Sequence, residues 1–467
     1  MKTSAIRDRI LTGPILPTMV HLAWPVMLTA ALQALYNLVD AFWLGRLGTA
    51  AVAAPGMAWP ILFFFMSFAG GFQAAGATFV AQHFGARDQD GAEKAAGQVL
   101  AFLSLVSAVL GGVGFALSPT ILRLIGAPDD IYPLALLYLR IECLGLPIMF
   151  LAHAFGGLML GLGNTRLMMY LSASSLLFNA ALDPLFIFGW GPFPAWGVAG
   201  AAGATILSRV LVAVVGLALL FSGRAGIKLR LRNLRPRLAR ILPILRVGLP
   251  NVLDQASTSL GFVVMMGLVS GFGTAVVASY TVGNRIINLV NVISWGAGSA
   301  LVAMIGQNLG ADQTERAERI ARRGISATFL ALIGLYFVAL LLRRPLFGLF
   351  VADPDVIRQG AWYIAVFGMS VPFFGLFDGA AATFRGSGHT VPPMVMAIVR
   401  LWVLRVFLAW ALAYPLGFGT TGMWAGMTLS NVLAGTALVL WLGRGTWKRK
   451  VIRAPMEGAV RAAATGS

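Results

Sequence analysis

Long apolar stretches alternate with short polar connections along the whole 467-residue chain. A helix of roughly 20 apolar residues crosses the ~30 Å hydrocarbon core of a bilayer. The stretches are continuously apolar and do not alternate apolar with polar positions, which favours helices over the strands of a membrane barrel. Twelve of them lie near residues 16–44, 51–82, 92–117, 131–158, 166–189, 196–222, 241–270, 275–307, 317–343, 356–382, 390–417 and 421–442. The pattern predicts an all-α integral membrane protein with twelve transmembrane helices.

The composition excludes a soluble protein. Hydrophobic residues make up 58% of the chain and charged residues 11%, and the mean hydropathy is +0.82. A soluble globular protein carries about 25% charged residues to cover its surface. The first apolar stretch follows a basic segment and has no small-residue cleavage pattern, so we interpret it as a retained span. The single cysteine, Cys143, excludes an internal disulfide framework and a multi-cysteine metal site.

Lysine and arginine are distributed unevenly among the connections. If both termini lie on the same inner side, 25 of the 35 basic residues fall in inside segments. Five fall within spans, and the five in outside segments are Arg46, Arg123, Arg343, Arg344 and Arg358. The positive-inside rule therefore predicts that both termini are cytoplasmic. The net charge of +18 then reflects loops that face anionic lipid, and we expect no nucleic-acid partner.

Residues recur at a constant offset of 225 positions. The offset relates Pro25 to Pro250, Gln82 to Gln307, Gly161 to Gly386 and several further residues between them. Six spans in each half give the two halves the same orientation, so we predict two six-helix lobes with a cavity between them, as in alternating-access carriers. The predicted boundaries are 1–222 for the N-terminal lobe, 223–240 for a basic cytoplasmic linker, 241–443 for the C-terminal lobe and 444–467 for a basic cytoplasmic tail.

A few carboxylates lie within or at the ends of spans. A charged group at mid-membrane costs on the order of 3 kcal/mol on insertion scales, so each is a candidate for function. The five are Asp40, Glu142, Asp183, Asp254 and Asp378. For Asp254 and Glu142 we expect solvated or paired roles, since Asp254 is near a helix end and Glu142 is close to Arg140.

The strongest cluster of candidates lies in the first half. Tyr36 and Asn37 precede Asp40 by one helical turn, and Asn179 precedes Asp183 by one turn, so each group shares a helical face. A carboxylate beside an amide and a phenol can hold a proton or a sodium ion. The alternatives are an exposed Asp40 at a helix end and an Asp183 satisfied locally at the kink of Pro184. Thr205 and Ser208 in the sixth span are weaker candidates, because hydroxyls in membrane helices often bond their own backbone.

This cluster is not repeated in the second half. At the offset of 225, Asp40, Asn179 and Asp183 correspond to Met265, Leu404 and Leu408. Scaffold residues are shared by the two halves, whereas these polar residues are not. We therefore predict a single ion-coupling site inside the N-terminal lobe.

A second group of residues is predicted to border the central cleft. Asp378 corresponds to His153 at the offset, and either side chain could contact substrate, although a buried core role is equally compatible with His153. Aromatic and methionine side chains on the same helices could line an apolar drug pocket or pack against neighbours or lipid. The candidates are Phe373, Phe374, Phe377, Phe384, Met149 and Met159.

Several motifs resemble the multidrug and toxic compound extrusion (MATE) family over residues from about 15 to 442. They are LAWPVMLTAALQALYNLVDAFWLGRLGTAAVAA, AQHFGARD, NAALDPLFIFG and the paired turns GLGNT and RGSGHT. The resemblance implies a V-shaped bacterial inner-membrane antiporter that exports cationic or amphipathic drugs in exchange for protons or sodium. It also implies that the ion, whether a proton or sodium, binds at Asp40, Asn179, Asp183 and Thr205, and that the first helix bends at Pro25. NorM-like members carry a glutamate in span seven where this chain has Thr258, which favours the DinF-like branch and proton coupling.

Other classes of function are less compatible with the sequence. A lipid-linked saccharide flippase of the same superfamily often has extra spans or a more charged cavity. The chain lacks the Gly-x-Gly-Asp, Gly-x-Ser-x-Gly and His-Glu-x-x-His motifs of enzymes, and it lacks a phosphate-binding loop for ATP. We therefore expect no enzyme activity, no cofactor and no resident metal, but a small-molecule substrate, lipid surroundings and a functional monomer.

Overall fold

The computed structural model describes residues 3–189 and 194–452, which are almost entirely helical. Twelve helical segments are long and apolar enough to cross a membrane, as the sequence predicts. The first six are Ile15–Gly45 (α2), Thr49–Gly85 (α3), Gln89–Leu124 (α4), Tyr132–Gly161 (α5), Thr165–Phe188 (α6) and Val198–Phe221 (α7). The last six are Leu238–Ser270 (α8), Thr274–Gly310 (α9), Thr314–Leu341 (α10), Pro354–Ser387, Val391–Ala413 and Gly419–Gly443 (α16).

Two spans are built from several segments, and short helices lie outside the spans. The tenth span contains α12 (Pro354–Val366), a 3-10 turn (Gly368–Ser370) and α13 (Val371–Ser387). The eleventh contains α14 (Val391–Ile398), a π-helical segment (Val399–Val406) and α15 (Phe407–Ala413). The short elements are α1 (Thr3–Thr12), a 3-10 turn (Leu231–Leu234) and α11 (Arg343–Gly348).

Matching helix ends follow the offset found in the sequence. The bounds of α3 plus 225 are those of α9. Arg87 and Asp312, which are also 225 residues apart, both adopt the left-handed backbone conformation in the turn that follows, with φ of 59° and 57°. Next to this turn, the side chain of Asp88 accepts a hydrogen bond from the Gly91 backbone N–H at 2.8 Å and caps α4. Both halves thus use the same turn after their second span.

The first helix of each half packs partly on the opposite half. The early part of α2 contributes Ile15, Met19 and Leu22 to a core with residues of α9, α10 and α13. The early part of α8 packs on α3, where Gly71 lies against Val252. The equivalent pair at the offset is Gly296 of α9 against Met27 of α2. The buried side chains Ile15, Met19 and Leu22 are therefore part of the C-terminal core, although they lie in the N-terminal half of the sequence.

The two halves meet where α3 and α9 end. A Cβ atom on Gly85 would overlap the backbone oxygen of Gln307, and one on Gly310 would overlap the backbone oxygen of Gln82. Small residues let membrane helices approach this closely. The same end of the molecule, which is the closed end of a V, carries α1 and the described end of the C-terminal segment.

Two equivalent glutamines bridge this closed end. The Gln82 amide donates to the backbone oxygens of Gly386 and Ser387 at 3.2 and 3.1 Å, and that of Gln307 donates to Gly161 at 2.8 Å. The Gln82 side-chain oxygen also accepts from the backbone N–H groups of residues 451 and 452, at 3.0 and 3.3 Å. The predicted tail therefore begins as part of the closed end, and its residues 453–467 lie outside the described residues.

The basic segment between the halves lies against α4. Gln98 donates to the backbone oxygens of Asn233 and Arg235 and accepts from the Arg237 N–H, each at 2.8 Å. Glu93 accepts from the Lys228 N–H at 3.2 Å. This segment is thus fixed to the N-terminal half and does not span freely between the two.

Candidate ion and substrate sites

The polar residues predicted in the first half converge from three helices. Asp40 of α2 interacts directly with the Asp183 carboxyl group and with the side chains of Asn179 and Thr205. Asn179 donates to Asp183 at 3.1 Å, and both are fully buried on α6. Thr205, on α7, is buried as well. The spacing of Asn179 and Asp183, one turn apart, aims both side chains at the second half of α2.

Several oxygens of this cluster lack a hydrogen-bond donor within the described part of the chain. They are Oδ1 of Asp40, Oδ1 of Asn179 and Oδ2 of Asp183. An ionised carboxylate can only accept hydrogen bonds, so contact between two carboxyl groups is favourable when one of them carries a proton. The same set of oxygens matches the preference of a hard cation. The cluster can therefore take up a proton or hold a sodium ion.

Tyr36 lies beside the cluster and connects α2 to α7. Its hydroxyl is 2.9 Å from that of Ser208, which donates to the Thr205 backbone oxygen at 2.7 Å. The guanidinium of Arg209 lies over the Tyr36 ring, 5.3 Å from its centroid. Ser208, a weaker candidate from the sequence, thus takes part in the contact that positions Tyr36.

Asn37 does not belong to this cluster, contrary to the prediction. It is exposed, and its side-chain oxygen accepts from Gln33 at 3.4 Å. Residues 36 and 37 are about 100° apart around a helix, so only one of them can face α7. Packing of α2 selects Tyr36.

Glu142 also differs from the prediction. It is fully buried, and both of its carboxylate oxygens lack a hydrogen-bond partner within residues 3–189 and 194–452. Arg140, its expected partner, lies over the Phe115 ring at 4.9 Å instead. The two side chains are two positions apart and so leave the helix on different sides.

Pro25 lies within α2, whose helical conformation continues on both sides of it. Proline has no N–H, so the carbonyl one turn earlier loses its helical partner. The Thr29 hydroxyl donates to the Pro25 carbonyl at 2.8 Å. The position is suited to bending, and it marks where α2 passes from the C-terminal core to α6.

A cavity of about 930 Å³ lies between the two halves. Asp378 and Phe374 line it, as predicted, together with Asp254. Asp254 accepts from Arg385 at 3.0 Å, and Arg385 also pairs with Asp378 at 3.7 Å. Asp378 accepts a further hydrogen bond from Ser294 at 3.1 Å. Both carboxylates of the cavity are therefore engaged by one arginine.

Two other candidates lie elsewhere. Met159 is fully buried in the core of the N-terminal half and does not line the cavity, because α5 turns this side chain towards α3 and α4. His153 lines a smaller pocket of about 140 Å³ next to Arg209, and its Nδ1 is 2.9 Å from the Met149 backbone oxygen. His153 therefore does not occupy the position of its repeat partner Asp378 at the central cavity, whereas Met159 and its repeat partner Phe384 are both buried away from the cavity.

Two cavity residues were missed by the sequence reasoning. Arg400 and Arg405 lie in the π-helical segment, line the cavity and are 5% and 4% exposed. In an α-helix residues five apart differ by about 140°, whereas π-helical hydrogen bonds link i to i+5 and place such residues on one face. Their presence within a predicted span was the signal that could have found them.

Comparisons with known proteins agree with this architecture. The family model described as MatE matches residues 25–185 and 250–411, two stretches whose starts are 225 residues apart. The chain is 26% identical to the probable multidrug resistance protein YoeA of Bacillus subtilis over 432 residues, which are 92% of this chain and 93% of that protein. It is 29% identical to the multidrug resistance protein PmpM of Pseudomonas aeruginosa, over 94% and 93% of the two chains.

A solved structure extends the likeness to three dimensions. A MATE protein crystallised in a bent conformation superimposes with a TM-score of 0.88 and 25% identity over 100% of both chains. The two stretches matched by the family model span more than half of this chain. The twelve apolar helices and these bacterial relatives indicate a multi-pass inner membrane protein. The chain belongs to the MATE family of transporters.

Proposed function

We propose that the protein is a secondary active antiporter, which exports amphipathic drug-like compounds while a proton, or alternatively sodium, moves in the opposite direction. The observation that carries this proposal is the contact between the partly buried Asp40 and the fully buried Asp183, each of which has an oxygen without a hydrogen-bond donor among the described residues. This pair is separate from the cavity between the halves, which is large enough for a drug-sized molecule. Ion and substrate thus have different sites.

The coupling follows from two states of the same protein. In the closed-end contact described above, the lobes are held together at the end that carries α1 and residues 451 and 452. With the termini cytoplasmic, this is the outward-facing state, and the cavity opens away from the cytoplasm. We propose that protonation of Asp40 and Asp183 changes the packing of α2 around Pro25 and favours substrate release. Each ligand then favours a different state.

The organisation into lobes supports a monomer as the functional unit. We propose residues 1–222 and 241–443 as the N- and C-terminal lobes, 223–240 as the linker and 444–467 as the cytoplasmic tail. Each lobe receives the start of the other lobe's first helix, so a rocking motion bends α2 and α8 while the remaining helices move with their own lobe. The DinF-like branch remains part of this proposal because Thr258 donates to the Asp254 backbone oxygen, at 2.8 Å, and supplies no carboxylate.

The proposal predicts that an ion gradient alone drives transport. Inverted vesicles containing the protein are expected to accumulate an amphipathic dye under an imposed proton gradient, and to lose it when a protonophore is added. A sodium gradient with a sodium ionophore is the parallel experiment, and vesicles without the protein are the control. The panel contains cationic, neutral and anionic dyes, so the sign of the substrate's charge does not decide the outcome. Accumulation that survives both ionophores would contradict the proposal.

A further inference from the structure

The charges of the central cavity are unevenly arranged. The cavity is lined by Asp254, Asp378, Arg385, Arg400 and Arg405, and these are its charged lining residues in the described part of the chain. Arg385 pairs with both aspartates, as described above. Neither Arg400 nor Arg405 forms an ion pair with these carboxylates in the described part of the chain. One end of the cavity therefore carries two positive charges with no carboxylate in contact.

Neutral groups hold these two arginines side by side. Arg400 donates to the Asn431 side-chain oxygen at 3.1 Å, and Arg405 donates to the same oxygen at 2.6 Å. Arg405 also donates to the Ser430 hydroxyl at 3.2 Å. Asn431 is oriented by its own hydrogen bond to Ser370, at 2.9 Å. A single amide oxygen thus positions two guanidinium groups that repel each other.

The donors of this pair are incompletely used. The Nε of Arg400 is buried and has no hydrogen-bond partner among the described residues. Arginine remains charged in proteins and has five N–H donors in a planar fork. Burial of an uncompensated charge is costly unless a counter-ion or a set of acceptors is supplied. A bound anion would supply both.

The rest of the cavity favours an apolar body on this anion. The Arg400 guanidinium lies 5.4 Å from the Phe374 ring centroid and 4.8 Å from that of Phe377. Aromatic side chains on the facing helices line the remaining wall, namely Trp59, Phe63, Phe262 and Trp295. Carboxylate and phosphate groups match the guanidinium fork through paired hydrogen bonds.

We propose that the central cavity binds amphipathic organic anions, with a carboxylate or phosphate group at Arg400 and Arg405 and an aromatic body against Phe374 and the facing aromatic side chains. This proposal rests on the proposed exporter function and assigns the class of its substrate. It replaces the cationic class that the family resemblance implies with an anionic one.

The test compares probes that differ only in charge. Pyrenebutyrate, pyrenebutanol and pyrenebutylammonium are titrated into the full-length protein in phosphatidylcholine nanodiscs, with the pyrenebutyl phosphate monoester as a second anion. Energy transfer from tryptophan reports binding, because Trp59 and Trp295 line the cavity. The anions are expected to bind at least about tenfold more tightly than the alcohol, since hydrogen bonds between charged groups are the stronger ones. Tighter binding of the ammonium probe would overturn the proposal.

Variants identify the residues responsible. Arg400→Gln with Arg405→Gln should weaken binding of both anions by about tenfold and leave the alcohol unchanged. Asp378→Asn should strengthen anion binding, an effect of opposite sign that a folding defect cannot mimic. Arg285→Gln, at an exposed arginine of α9 outside the cavity lining, is the matched control. If the double variant also loses binding of the alcohol, it has a general binding defect, and the result for Asp378→Asn is used instead. Unchanged or weaker anion binding in Asp378→Asn overturns the proposal.

A further experiment distinguishes a lipid phosphate from a soluble anion as the occupant of the site. Adding phosphatidylglycerol to the nanodiscs shows whether a lipid phosphate competes with pyrenebutyrate in an Arg400-dependent way, which would support the same chemistry with a lipid as the occupant. The absence of competition supports a soluble anion. Because binding is measured without any gradient, its failure leaves ion-driven export intact, and a failure of ion-driven export leaves anion binding intact.

Discussion

Replacing Asp40 by asparagine is expected to abolish uphill export while the protein still folds and binds dye. Asparagine keeps the size of the side chain but cannot exchange a proton with Asp183. The loss of coupling between two sites is worth ~1–3 kcal/mol, so we expect the accumulation ratio to fall by about 5- to 150-fold, to the level of empty vesicles. The accumulation ratio is measured with the dye in inverted vesicles under an imposed proton gradient.

Two further variants make this result specific. Asp183→Asn should behave like Asp40→Asn, because the two carboxyl groups interact directly. Asn37→Ala should transport like wild type, since Asn37 is on the same helix but is exposed and accepts a hydrogen bond from Gln33, away from Asp183. If Asp40→Asn pumps as well as wild type, the coupling site lies elsewhere and Asp378 is the next carboxylate to replace.

Gly85→Leu is expected to prevent closure of the end at which α3 and α9 meet and to stop export. A side chain at this position would overlap the backbone oxygen of Gln307, and backbone cannot move aside as the end of a flexible side chain can. Gly310→Leu should have the same effect through Gln82, because the two glycines are related by the repeat. The state that is closed at this end should therefore lose most of its population even though the ion site is unchanged.

Distances between spin labels at residues 90 and 315 measure this closure. Asp90 and Glu315 are exposed, begin equivalent helices and lie in opposite lobes. With Cys143 replaced by alanine, the label pair should move to longer distances in Gly85→Leu. Gly112→Leu is the matched control, because a Cβ atom at Gly112 meets no atom within 4 Å. Wild-type distances and transport in Gly85→Leu would show that the closed-end contact is not needed.

Much of the fold follows from the sequence because lipid imposes simple constraints. Backbone groups in hydrocarbon must be bonded internally, so each apolar stretch of sufficient length is a helix, and twelve are present. The repeat offset is equally direct, since a duplicated lobe keeps its turns and crossing glycines. The sequence does not predict that the first parts of α2 and α8 pack on the opposite lobe, because an apolar helix face does not specify which helix it packs against.

The candidate sites could also be predicted only in part. One-turn spacing placed Asn179 and Asp183 on one face, and the structure brings them to Asp40. The same rule could not decide between Tyr36 and Asn37, since both precede Asp40 by about one turn. The prediction that Met159 lines the cavity rested on residue type alone, which does not indicate the direction of a side chain.

The proximity of Arg400 and Arg405 could not be predicted from the sequence for a different reason. Their separation of five residues places them on different faces in an α-helix, and only the π-helical segment brings them together. The sequence of this span contains no pattern that predicts a π-helical segment. Intramembrane arginines are nevertheless as informative as intramembrane carboxylates, because both are expensive to bury.

The most direct test of ion coupling is the release of protons when substrate binds. Purified protein in weakly buffered detergent solution is mixed with a transported dye, and the change in pH is recorded. Wild type is expected to release protons, and the variant carrying both Asp40→Asn and Asp183→Asn is expected to bind the dye without releasing any. Equal release from both proteins, or binding to wild type without release, would contradict proton coupling at Asp40 and Asp183.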